Sequence, residues 1–251
     1  MEKVFRGIIR YKNAYKDDVF TKLSKIKESG SSPSTVLFTC MDARIHPNVI
    51  MNSNVGDVFT VRNPGNIVPN ASYVANSRTP APEPAGLELG CVVNSIKNVV
   101  VCGHSDCKAM IALQSFGDSK GCSEFDVMQS PLKAWLQRNG MVSFKRFCEM
   151  KKMGKEDSLI FMKNTKHEFE ARIDSQLDEA DQLSQINTLV QMENIYSYDF
   201  MKNRIDDKTA FVHGLWFSLT TGDVHYFLKN EKVFINVSED NIDNLVQRSE
   251  E

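Results

Sequence analysis

The chain has 251 residues, 41% hydrophobic and 25% charged, with a formal net charge of −2. That length suffices for one sizeable core, and the near-neutral balance gives nucleic acid no electrostatic reason to bind. No apolar run approaches the roughly 20 residues that span a bilayer, and the opening residues lack the apolar block of a secretory signal.

The expectation is therefore a protein with no membrane partner, placed in the cytoplasm or, given the basic bias of Lys3, Arg6, Arg10, Lys12 and Lys16, the mitochondrion. Secretion is not expected. The six cysteines do not look like a disulfide framework; they fit a reducing compartment.

Residues 4–28 carry Val4, Ile8, Ile9, Val19, Leu23 and Ile26 at helical spacing, which predicts a helical arm over about 1–28 docked on the domain or on a partner subunit. Gly30-Ser31-Ser32-Pro33-Ser34 breaks it. Thr35-Val36-Leu37-Phe38-Thr39 is a short, nearly continuous apolar run, as in a strand buried on both faces. Asp57 to Arg62 predicts a second strand, with a turn at Asn63-Pro64-Gly65-Asn66. Pro80, Pro82 and Pro84 make 76–84 a loop, and a helix runs on from Pro84 with Leu87, Leu89, Val92 and Val93 apolar. Asn98 to Cys102 is the third strand, and His104 and Cys107 then occupy a loop and the first turn of the next helix.

Residues 117–160 mix helical patches with polar loops and carry no functional reading. Residues 165–203 read as mostly helical, with Phe169, Ile173, Leu177, Leu183, Ile186, Leu189 and Val190 as core candidates. Phe211 to Phe217 and Val224 to Phe227 read as strands around a turn at Thr221-Gly222. A tail over about 236–251 is assigned to solvent. The order implies a single α/β domain over 1–251: a central, mostly parallel sheet flanked by helices, with an antiparallel C-terminal strand at 209–217.

Three residues carry the chemistry. Cys40 follows the first apolar run, in Cys40-Met41-Asp42-Ala43-Arg44, and His104 and Cys107 follow the third, in Gly103-His104-Ser105-Asp106-Cys107. Two thiolates and one imidazole suit Zn2+, and three protein ligands leave a fourth position open, as in a catalytic site. Both half-sites fall at strand C-terminal ends, where open parallel sheets bind ligands. Asp42 and Arg44 supply a carboxylate and its cationic partner beside the metal. A deaminase would need His-x-Glu and a later Pro-Cys-x-x-Cys, and a thioredoxin-like site would need Cys-x-x-Cys; neither is present. Cys91 and Cys102 read as buried core thiols.

These segments resemble the motifs of the β-class carbonic anhydrases: Cys40-Met41-Asp42-Ala43-Arg44, Gly103 to Cys107, Val61-Arg62-Asn63-Pro64-Gly65-Asn66, Gly86-Leu87-Glu88-Leu89 and His213-Gly214-Leu215-Trp216. Cys107-Lys108-Ala109-Met110 is most similar to the animal branch. The resemblance implies the β-carbonic anhydrase fold and reversible hydration of carbon dioxide to bicarbonate and a proton, with one Zn2+ per subunit. It also implies a homodimer or dimer of dimers in which the N-terminal helix wraps the partner. Asp42 would accept a hydrogen bond from the nucleophile or close the fourth metal position, with Arg44 as the latch. Phe59 and Leu89 would form an apolar slot for CO2; Ser31 and Leu89 stand where plant-type members carry glutamine and tyrosine. Leu37 replaces the tryptophan of bicarbonate-regulated members, so no such inhibition is expected. Carbonyl sulfide or carbon disulfide hydrolysis on the same fold, and a non-catalytic zinc-binding protein, are the competing readings. His46, His213 and His225 are candidate proton shuttles, His46 first among them.

Overall fold

The computed structural model describes residues 1–77, 80–118, 130–154 and 157–249, so Cys122 and part of the 117–160 stretch lie outside the described residues. Two helices open the chain, α1 (Glu2–Ala14) and α2 (Lys16–Ser29). The helical arm expected over about 1–28 is thus two helices, broken at Tyr15, whose φ of −126° leaves the helical region. Asp17 and Asp18 fall in the first turn of α2, where negative charge favours a new start.

The elements that follow are β1 (Thr35–Cys40), α3 (Pro47–Ile50), β2 (Val58–Asn63), α4 (Ala71–Ser77), α5 (Pro82–Glu88, continued by a π-helical turn Leu89–Val93), β3 (Asn98–His104) and α6 (Lys108–Asp118). Then come α7 (Pro131–Asn139), α8 (Met141–Met150), β4 (Leu159–Phe161), β5 (Phe169–Ala171), α9 (Glu179–Tyr196), α10 (Asp199–Asp206), β6 (Phe211–Phe217), β7 (Val224–Leu228), β8 (Val233–Asn236) and α11 (Ile242–Arg248).

The main sheet has six strands in the order β2-β1-β3-β6-β7-β8. The first four run parallel; β7 and β8 return antiparallel. The mostly parallel sheet with an antiparallel C-terminal extension is as expected, but the antiparallel strand is not 209–217. β6 pairs parallel to β3, His104 opposite Phe217, because α9 and α10 carry the chain back across the sheet before it starts. From β1 the chain goes to β2 on one side and to β3 on the other, so the crevice between the carboxyl ends of β1 and β3 is a topological switch point.

Strand periodicity divides the sheet into two faces. Val36, Phe38 and Cys40 join the large core with Val99 and Val101, while Leu37, Val100 and Cys102 form a small second cluster. Helix α9 covers the first face. Leu183, Ile186, Leu189, Val190 and Ile195 on it are all fully buried, and the side chain of Asp178 caps its first turn by accepting from Asp181 N.

Other expectations need correction. His104 is the last residue of β3 and not part of a loop. Phe169 lies in β5, paired with β4, so 165–203 is not continuously helical. The loop at 76–84 is shorter, since α4 reaches Ser77 and α5 begins at Pro82. The tail is not all solvent: α11 forms there and buries Leu245.

Candidate metal centre

Cys40 ends β1 and His104 ends β3, two neighbouring strands; Cys107 stands just before α6. Their ligand atoms lie within 4.8 Å of one another, with the two sulfurs 4.0 Å apart. All three side chains are buried, at 4%, 1% and 1% exposure respectively. His104 Nδ1 donates to Ser105 O at 2.8 Å, which fixes the tautomer and leaves Nε2 as a lone pair. That Nε2 is buried with no hydrogen-bond partner. A buried bare imidazole nitrogen beside two thiols is the donor set of a tetrahedral thiophilic ion such as zinc, and the backbone acceptor on Nδ1 is the outer contact such a ligand needs.

The thiols share their proton unequally. The hydrogen bond from Cys107 pulls Cys40 down to about 4, helped by His104 and the Gly65 and Asp42 backbone. The Cys107 thiol is pushed up by the same bond and by burial. Burial opposes protonation of His104, but the Cys40 sulfur outweighs it and the pKa rises. Cys91 and Cys102 behave as core groups: burial raises Cys102 to about 12 and Cys91 to about 11.

Asp42 and Arg44 meet as expected, in a forked pair. Arg44 Nε donates to Asp42 Oδ1 at 3.0 Å and Nη2 to Oδ2 at 2.7 Å, while Arg44 N also donates to Oδ1 at 2.9 Å. These bonds hold the Asp42 carboxyl well below the usual range and raise the guanidinium above its own. The same guanidinium reaches the second ligand loop, with Nη1 on Asp106 Oδ2 at 2.5 Å and Nη2 on Asp106 O at 2.9 Å. Arg44 therefore bolts the Cys40 loop to the Cys107 loop.

Four supporting residues were given no role in the sequence. Arg62 donates to Cys40 O, Asp42 O and Ile45 O and so fixes the turn after β1. Asp106, held at a φ of +50°, donates its N–H to Asp181 Oδ1 at 2.6 Å. Ser184 donates to His104 O at 2.7 Å and accepts from Trp216 Nε1 at 3.2 Å. Arg62 and Asp106 stood inside quoted motifs; Asp181 and Ser184 had no local signal at all.

The expected pocket residues are not brought to the metal ligands. Phe59 lies opposite Val36 in the β1–β2 register, Gly90, next to Leu89, packs on Val36, and Ser31 lies near Gly56 in the turn before β2. All sit toward the amino ends of the strands; Val36 is about 13 Å from Cys40 at about 3.3 Å per residue. Ser31 and Leu89 are exposed. Among the histidines, His46 is exposed at the start of α3. His213 is buried in β6, bonded to Tyr226 and Asn98 and opposite Val100, well short of the metal edge. His225 packs edge-on against Trp216.

The model of the carbonic anhydrase family matches residues 35–224. Beta carbonic anhydrase 1 of Caenorhabditis elegans is 39% identical, over 98% of this chain and 92% of the relative. The chain belongs to the β-class carbonic anhydrases. Reversible hydration of carbon dioxide is the reaction of this carbonic anhydrase. The structure of the β-carbonic anhydrase CcaA superposes with a TM-score of 0.74 at 21% identity, covering 95% of this chain and 92% of that one. A tetrameric β-carbonic anhydrase of Sordaria macrospora gives 0.64 at 19% identity, over 89% and 96%. At those identities the likeness is one of fold.

Proposed function

We propose that the carbonic anhydrase runs on one zinc ion per subunit, held by Cys40, His104 and Cys107, with Asp42 and Arg44 as the residues that act beside it. The observation that carries this reading is the bare, buried His104 Nε2 facing two thiol sulfurs. When bound, zinc supplies the Lewis acidity that makes hydroxide available from water near neutral pH.

The chain's own part is orientation. Asp42 stays ionised throughout the working pH range, because Arg44 occupies its carboxylate through a charge-assisted fork. It can accept a hydrogen bond from the attacking oxygen and aim it, but it has no proton to give. While the fork holds, Asp42 is kept from closing the fourth metal position. Phe59 and Leu89, with Ser31, form the CO2 slot at a site completed by a second copy of the chain.

The arm supports a homodimer, or a dimer of dimers. Helices α1 and α2 bury no residue of their own, and Val4, Phe5, Ile8, Ile9, Phe20 and Leu23 are all exposed. Such an apolar row calls for a partner surface. Among the described residues no helix is long and apolar enough to cross a membrane. The described cysteines are free thiols, which supports a reducing compartment, cytoplasmic or mitochondrial.

Stopped-flow CO2 hydration with a pH indicator, on protein of measured zinc content, tests the reading. Activity proportional to zinc and lost on chelation is expected. Activity that does not follow zinc content would refute it.

A further inference from the structure

A cleft of about 560 Å³ borders the Asn63-Pro64 turn and lies among α4, α5 and α7. Its wall is mostly carbon, including Pro64, Tyr73, Pro82, Ala134 and Trp135. Glu83 also lines it and is only 4% exposed. Its Oε1 accepts from Asn63 Nδ2 at 2.9 Å; its Oε2 is buried with no hydrogen-bond partner. Among the described residues lining the cleft the one cation is Arg138, which is exposed and donates to Tyr73 O at 3.1 Å.

A carboxylate oxygen held away from water without a donor is unfavourable. A positively charged N–H donor arriving with a ligand removes that cost and gains a charge-assisted bond. The faces of Tyr73 and Trp135 also attract cations, and the carbon wall accepts an apolar body. An anion would face Glu83, and a hydrocarbon would leave Oε2 as it is.

We propose that this cleft is a binding site for a small organic cation, a primary ammonium on an aromatic or aliphatic body, with Glu83 turning Oε2 toward the ammonium and the body against Trp135. None of Cys40, Asp42, Arg44, His104 and Cys107 lines the cleft.

The test is calorimetric titration of the full-length, zinc-loaded enzyme with phenethylammonium, with 2-phenylethanol as the uncharged match. Tryptophan emission gives a second readout: the chain has two tryptophans, and Trp216 is 2% exposed, so a change reports Trp135. Saturable phenethylammonium binding, at least tenfold tighter than 2-phenylethanol, is expected. Glu83→Gln should weaken the ammonium at least tenfold and alter the alcohol by less than twofold. Ala134→Phe leaves the Glu83–Asn63 bond in place, fills the cleft and should abolish both. Equal affinity for the two probes, absence of saturable binding, or an ammonium affinity unchanged in either variant would overturn the proposal.

Discussion

Arg44 serves three acceptor groups at once: the Asp42 carboxylate, the Asp106 carboxylate and the Asp106 carbonyl. A lysine carries the same charge but not the planar fork. Arg44→Lys should therefore lower kcat/KM at least about tenfold, because Asp42 and the two ligand loops lose their common anchor. Asp42→Asn keeps the shape and removes the ionised acceptor. A loss of about a hundredfold or more in kcat/KM is expected, the scale of a positioned proton-handling group, with bound zinc unchanged. Stopped-flow rates beside metal analysis check both variants; an Asp42→Asn enzyme with wild-type turnover would reduce the pair to a structural ion pair.

At the scale of elements, the centre depends on how closely α9 lies on β3. Gly103 makes that approach, since a Cβ there would press into Thr188 Oγ1 and come within 3.3 Å of Trp216 Cδ1. Thr188 is itself fully buried and its hydroxyl donates back to Ser184 O, so neither neighbour can move freely. Gly103→Ala should cost about 1–3 kcal/mol, the usual penalty for overpacking, read as a lower urea midpoint at constant slope. It should also weaken zinc retention, because Ser184 on the same helix holds His104 O. An unchanged midpoint would mean that α9 yields more easily than its packing indicates.

Two properties belong to the whole molecule. The arm has no core of its own, so deletion of residues 1–29 should shift the enzyme to a smaller species by light scattering and lower its activity, because the proposed slot calls for a second copy. A truncated chain of unaltered size would place the dimer contacts elsewhere. The second property is acid stability. Burial, with a smaller effect from the Lys229 charge, lowers His213 from 6.5 to about 4. The unfolded chain then takes up a proton at this site before the folded one does. Stability from neutral His213 is full above about pH 6.5, declines as the pH falls and levels off below about 4, a total of about 3 kcal/mol. His213→Gln should flatten that limb relative to wild type in urea titrations across the window; parallel curves would show that His213 does not titrate there.

Short segments sufficed for the features they carry whole: three candidate ligands placed directly after apolar strands, the Asp42–Arg44 spacing, and the turn at Gly65, whose φ of +83° suits glycine. Periodicity also placed β1, β2 and the β6–β7 hairpin within a residue or two. The other features exist only once the chain is folded, because they arise from partners far apart in it. Asp181 lies 75 positions from Asp106 and Ser184 lies 80 from His104, and each is just another polar residue on a helix until α9 packs against β3. The direction of β6 was illegible for a similar reason: an isolated strand pattern is the same in either sense, and the crossover through α9 and α10 sets which way it enters the sheet. Helix α11 buries one residue, Leu245, too brief an apolar signal to distinguish from a solvated tail until it has a surface to lie on.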